Sequence, residues 1–150
     1  MDEPRFLCDE MLRRLGRWLR TAGYDTAIAV PGAADRDLLA LARAESRTLL
    51  TRDRRLAALD GGVALVSGEA DAAARELLER FGVDWLHAPF TRCLVDNAPL
   101  RPAAEAERDG LPPRARAVGG PVNACPDCGR LYWPGSHVRR MQAVLERWAA

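Results

Sequence analysis

Asp9 follows the apolar run FLC, Asp35 heads an amphipathic stretch, and Asp53 follows the apolar run TLLT by one residue. If the apolar runs are strands of one parallel sheet, these carboxylates reach the same rim although they are far apart in sequence. Gathered there, they raise one another's pKa unless a cation lies among them. Hard ions such as Mg2+ and Mn2+ take oxygen ligands, keep waters, and can activate one water while polarising a phosphoryl oxygen. The predicted chemistry is metal-dependent phosphodiester hydrolysis. Asp35 and Asp53 would serve equally well as helix N-caps, whereas Asp9, at the end of a buried run, needs a partner. Glu10 and Asp37 are accessory ligands or solvated neighbours.

Arginine supplies the opposite charge. At about 100° per residue from Met11 to Ala22, Met11, Leu12, Leu15, Trp18, Leu19 and Ala22 share one face, and Arg13, Arg17 and Arg20 the opposite one. With Arg52 beside Asp53, this stripe is expected to hold phosphates flanking the scissile bond. The plainer alternative is a solvated helix face.

A second chemistry lies near the carboxyl terminus. Cys125-Pro126-Asp127-Cys128-Gly129 is a turn that brings two thiolates to one ion while backbone N–H groups face the sulfurs. Zinc takes four ligands, and CLVD at 93–96 offers the other half-site, with Asp96 where a second cysteine is expected. Cys93, Asp96, Cys125 and Cys128 thus form a predicted structural Cys3Asp site. His137, or more remotely His87, could replace Asp96, and free cysteines are the simpler alternative. Four cysteines, one of them (Cys8) inside the first apolar run, favour metal over disulfides in a reducing compartment.

Positioning these groups requires strands over residues 5–8, 24–30, 48–51 and 63–66, alternating with helices over 11–22, 35–46, 54–59 and 71–81. Such alternation predicts a parallel sheet with right-handed crossovers. Leu38, Leu39, Leu41 and Ala42, then Ala74, Leu77, Leu78 and Phe81, are the expected core positions of two of the helices. Residues 89–121 hold most of the prolines, and ERDGLPPRARAVGG at 107–120 reads as an exposed loop. Residues 136–148 return to helical spacing, with Val138, Met141, Leu145 and Trp148 on one side. The expected division is 1–88 and 89–150.

At 150 residues and 48% hydrophobic content the chain can bury a core. Its net charge of +1 conceals 22 basic residues that are all arginine. Coding bias explains this most simply, and the lack of lysine excludes mechanisms that need one, including that of phosphorylated receiver domains. Neither GxGxxG nor GxxxxGK[ST] occurs, which argues against nucleotide binding. No apolar run approaches the roughly 20 residues of a membrane span, and the acidic start MDEPRFLCDE is unlike a secretory leader. A cytoplasmic protein without membrane contact is expected; no signal for an oligomeric state is present.

FLCDEMLRRLGRWLRTAGYD, DRDLLALARAESRTLLTRD, FTRCLVDNAPL and CPDCGRLYWPGSH, in that order, resemble the Mut-seven carboxy-terminal RNase domain family. The resemblance implies an α/β, PIN-like three-layer parallel sheet with helices on both faces, followed by a small zinc-ribbon domain. It implies a ribonuclease using Mg2+ or Mn2+, with Asp9, Asp35 and Asp53 as the acidic metal ligands and zinc as a structural ion. Asp96 departs from the family's CxxC. Tyr132, Trp133, Gly135, Ser136 and His137 match a family string, and the two aromatics are either ribbon core or a stacking surface for RNA bases. RNA, single-stranded, is the expected partner. The competing reading is a non-catalytic RNA- or protein-binding module on the same fold.

Overall fold

The computed structural model describes residues 3–150, so Met1 and Asp2 of the acidic amino terminus lie outside the described residues. Four strands, β1 (Phe6–Cys8), β2 (Thr26–Ile28), β3 (Thr48–Thr51) and β4 (Val63–Leu65), pair in parallel in the order β2-β1-β3-β4. Phe6 stands opposite Thr26 on one side and Thr48 on the other, placing β1 at the centre.

Alternate residues of a strand face opposite sides, and the helices divide accordingly. Phe6, Cys8 and Leu50 pack with Leu15 and Leu19 of α1 (Arg13–Thr21) and Leu77 of α4 (Ala70–Phe81). Leu7 and Leu49 face the other way, against Leu38 and Ala42 of α2 (Asp35–Ala44) and Leu56 of α3 (Arg54–Leu59). Two apolar layers with a sheet between them result. Gly16 lets α1 approach β2 closely: a Cβ there would come within 2.7 Å of Ile28 Cγ1.

The bounds of β3 and α3 agree residue for residue with those expected, while β2 is shorter than 24–30. Tyr24 is buried instead beneath the chain after α4, its hydroxyl accepting a 2.7 Å bond from the Asp84 amide. Met11 is 59% exposed, not in the core. Glu10–Leu12 form a 3-10 turn ahead of α1; its three residues per turn break the 100° phase of a continuous α-helix from Met11. Leu41 and Leu78 also lie at the exposed edge of their helices, because each helix buries only a narrow stripe.

After α4, β5 (Arg101–Pro102), β6 (Asn123–Ala124) and β7 (Leu131–Tyr132) form a separate antiparallel sheet. The expected loop at 107–120 is replaced by α5 (Glu105–Asp109) and α6 (Pro113–Val118). Proline occupies the first position of α6, where its missing N–H costs nothing. Glu107 holds the start of α5 by accepting 2.8 Å from the Ala104 amide while pairing with Arg101. The last helix, α7 (Ser136–Ala149), returns to the main core through Leu145 and Trp148. The Trp148 ring meets those of Trp85 and Trp18 edge-on at 4.9 and 5.0 Å, and its N–H donates to Asp71 Oδ1 at 2.8 Å. Among the described residues no helix is long and apolar enough to cross a membrane.

Candidate functional site

Asp9 ends β1 with its amide bonded to the Leu50 carbonyl at 3.1 Å, and only 7% of the residue is exposed. Its Oδ1 accepts from the Met11 amide at 2.8 Å and its Oδ2 from the Thr51 hydroxyl at 2.6 Å. The same Thr51 oxygen accepts from the Asp53 amide at 3.0 Å. Asp53 is the N-cap of α3, with Oδ1 accepting from the Arg55 amide at 2.8 Å. Asp35 is not a cap: that position belongs to Ala34, and Asp35 is the exposed first residue of α2.

Asp9, Asp35 and Asp53 line one cleft of about 130 Å3 together with Glu10, Met11 and Val30. The Glu10 carboxylate accepts from the Gly32 amide at 3.4 Å, tying in the loop that leads to Asp35. The cleft opens beyond the carboxyl ends of β1 and β3, where the crossovers through α1 and α3 leave for opposite faces of the sheet, the usual ligand crevice of open α/β sheets. Each Asp9 oxygen accepts one bond and keeps a lone pair, Asp53 keeps Oδ2, and the set contains oxygen alone. Those donors suit a hard, partly hydrated ion such as Mg2+ or Mn2+.

The arginines do not act as one stripe. Arg13 and Arg17 are exposed on α1, but Arg20 is 6% exposed and spent on the fold. Its Nε donates to the Thr26 carbonyl at 2.8 Å, and its Nη1 to the carbonyls of Leu94 and Val95 at 2.9 and 3.0 Å. The expectation that Arg20 contacts substrate is therefore corrected: a segment more than seventy residues later covers that side of α1. Arg52 is exposed beside Asp53, with its guanidinium against Gly68.

Cys93, Asp96, Cys125 and Cys128 place one potential ligand atom each within 4.8 Å of all the others. Cys125 Sγ lies 3.2 Å from both Asp96 oxygens, and Cys93 Sγ lies 3.8 Å from Cys128 Sγ. Two turns make this cluster: the Asn97 amide bonds the Cys93 carbonyl and the Gly129 amide the Cys125 carbonyl, each at 2.9 Å, with Asn97 and Gly129 at φ 74° and 75°. The Tyr132 hydroxyl sits 3.1 Å from Cys93 Sγ and accepts from the Leu94 amide at 3.0 Å. Burial works against a thiolate at Cys93, but bonds from Tyr132 and from the Asp96 and Val95 amides prevail and hold it below the ordinary thiol value. All four cysteines are free, and three sulfurs with one carboxylate fit tetrahedral zinc. His87 stands apart, its Nε2 2.6 Å from Glu3 and its ring stacked on Tyr24; His137 is also outside the cluster.

Two residues that organise these sites carry no functional signal in the sequence, Thr51, which reads as strand filler, and Asn97, while Arg20 is assigned there to substrate phosphates and not to the fold. Asn97 donates to Asp25 Oδ1 at 2.7 Å and accepts from the Thr26 amide at 3.0 Å, locking the first cysteine turn onto the edge strand. Burial opposes the charge on Asp25, yet Asn97, Arg47 and Arg5 outweigh it and lower the carboxyl to about 2. The only local signal was Asn97 itself, a residue type that tolerates the left-handed conformation.

A family model described as Mut7-C RNAse domain matches residues 4–145, a span that contains both the acidic cleft and the cysteine cluster. No curated protein and no solved structure matches the chain.

Proposed function

Because the chain belongs to the Mut7-C RNAse domain family, we propose that it is a ribonuclease that hydrolyses RNA phosphodiester bonds at the acidic cleft with Mg2+ or Mn2+. The supporting observation is that Asp9, Asp35 and Asp53, carried by three different strand–helix connections, line one crevice. A bound ion would polarise the phosphoryl oxygen and lower the pKa of the attacking water. Asp9 is held ready for it by Met11 and Thr51, and Asp53 by its capping bond, so neither carboxylate must be ordered when the metal arrives. Arg13 and Arg52 are exposed guanidinium groups close in sequence to Asp9 and Asp53, and are assigned to flanking phosphates.

In this reading the sheet and its first four helices, residues 1–88, form a PIN-like nuclease domain. Residues 89–150 form a zinc ribbon followed by a C-terminal helix, α7, that packs back on the main core, and zinc on Cys93, Asp96, Cys125 and Cys128 has a structural role. The ribbon assists binding of single-stranded RNA, and the protein works in the cytoplasm. Cleavage of end-labelled RNA with Mg2+ or Mn2+, abolished in the Asp9→Asn, Asp53→Asn double variant, is the expected result. Full activity in that variant would remove the cleft from consideration. A wild-type chain that binds RNA without cutting it under either metal would leave the binding-module reading.

A further inference from the structure

The acidic cleft uses none of the basic and aromatic side chains on the other flank of α1. There, two hollows of about 390 and 220 Å3 share Arg17, Leu94, His137 and Met141 and so form one groove between α1, the first cysteine turn and the start of α7. Arg130 and Trp133 line one end and Arg14 the other. Although the chain has 21 acidic residues, this lining contains three arginines and a histidine and no carboxylate. A groove of one sign selects a polyanion.

The aromatic pair divides in two. Tyr132 is committed to Cys93 and Leu94 through its hydroxyl. Trp133 is half-buried and comes against the start of α7 at Gly135, where a Cβ would lie 3.0 Å from its Nε1. We propose that this groove binds a single-stranded RNA segment, with a base stacked on Trp133 and neighbouring phosphates on Arg17, Arg130 and Arg14. The proposal rests on the RNA-directed reading above and gives the ribbon its part in it. Unpaired bases expose their faces to an aromatic ring, whereas duplex bases are already stacked on one another. The route to the carboxylates is short: α1 carries Arg14 and Arg17, and the turn before it carries Met11 and Asp9. The eight steps from Asp9 to Arg17 advance on the order of 10 Å along that axis.

Binding is separated from chemistry by using the full zinc-loaded chain with Asp9→Asn and Asp53→Asn, and a short labelled oligouridylate. Adding Trp133→Ala or Arg17→Glu is expected to weaken binding about ten-fold or more, while Trp133→Phe keeps most of the affinity. Arg17 is exposed and outside the ribbon, so its variant answers even if Trp133→Ala disturbs the ribbon's fold. Unchanged affinity in Arg17→Glu and in folded Trp133→Ala, or an equal loss for a hairpin duplex, overturns the groove. Groove-dependent binding by a wild-type chain that never cleaves RNA upholds this proposal and overturns the ribonuclease. Cleavage accompanied by unaltered affinity in the groove variants does the reverse.

Discussion

Thr51 Oγ1 donates a 2.6 Å hydrogen bond to Asp9 Oδ2, and the same oxygen accepts from the Asp53 amide at 3.0 Å. One fully buried hydroxyl thereby fixes the spacing of two acidic turns that leave neighbouring strands. Thr51→Val keeps the shape but removes both bonds, leaving Asp9 short of a donor at a cost of about 1–3 kcal/mol. Denaturant unfolding should register that loss, and RNA cleavage should fall more than in Thr51→Ser, which retains the hydroxyl. Equal activity in the two variants would deny the hydroxyl a positioning role.

Arg20 predicts a different failure. Its guanidinium satisfies three carbonyls, one on β2 and two in the first cysteine turn. Arg20→Met fills similar volume but leaves those acceptors unpaired, and the expected destabilisation is about 2–3 kcal/mol. Amide exchange should accelerate at residues 93–97 more than in β1 and β3. A uniform change across the chain would show that Arg20 is general packing and not the pin between the first cysteine turn and the sheet.

The cluster of Cys93, Asp96, Cys125 and Cys128 predicts an order of zinc retention. Asp96→Cys completes a four-sulfur set and should slow loss of zinc to a chelator relative to the wild-type Cys3Asp set, whereas Asp96→Ala should accelerate it. Metal analysis of the purified wild-type chain is expected to give about one zinc per molecule. Identical release rates in all three proteins would place Asp96 outside the coordination sphere.

Asp25 predicts the acid limb of stability. Its folded carboxyl is lowered from 3.8 to about 2, so its charge stabilises the fold above the unfolded value, and that contribution disappears as pH falls from about 4 towards 2. With Arg47 and Asn97 as partners the expected contribution is about 1–2 kcal/mol. In Asp25→Asn the melting temperature should be lower at neutral pH and should vary less between pH 4 and 2. A variant whose acid limb matched the wild type would sink this assignment.

Gly16→Ala tests the packing of α1 on the sheet. The added methyl meets Ile28 Cγ1 at 2.7 Å and Cys8 Sγ at 3.4 Å, so α1 must lift or Ile28 must turn, at about 1–3 kcal/mol. Pairing it with Ile28→Val should recover part of the loss in thermal unfolding.

Local chemistry alone determined much of the main sheet. Thr48–Thr51 and Arg54–Leu59 emerge residue for residue because a short apolar run and a three-to-four spacing each carry their own period, and Asp53 between them marks the boundary as a cap. Cys125 and Cys128 announce a ligand turn through their spacing, and the alternation of strands and helices implies parallel pairing. Periodicity, however, describes how a segment divides into faces and not which distant segment will cover them. The same stripe therefore left Arg17 in solvent and buried Arg20 under Leu94 and Val95, and a single 3-10 turn moved Met11 to the surface. Bringing Asp35 to the cleft of Asp9 and Asp53, joining Asn97 to Asp25, and setting Arg17 opposite Trp133 all required the tertiary fold, because each pairs residues that no helical or strand repeat relates.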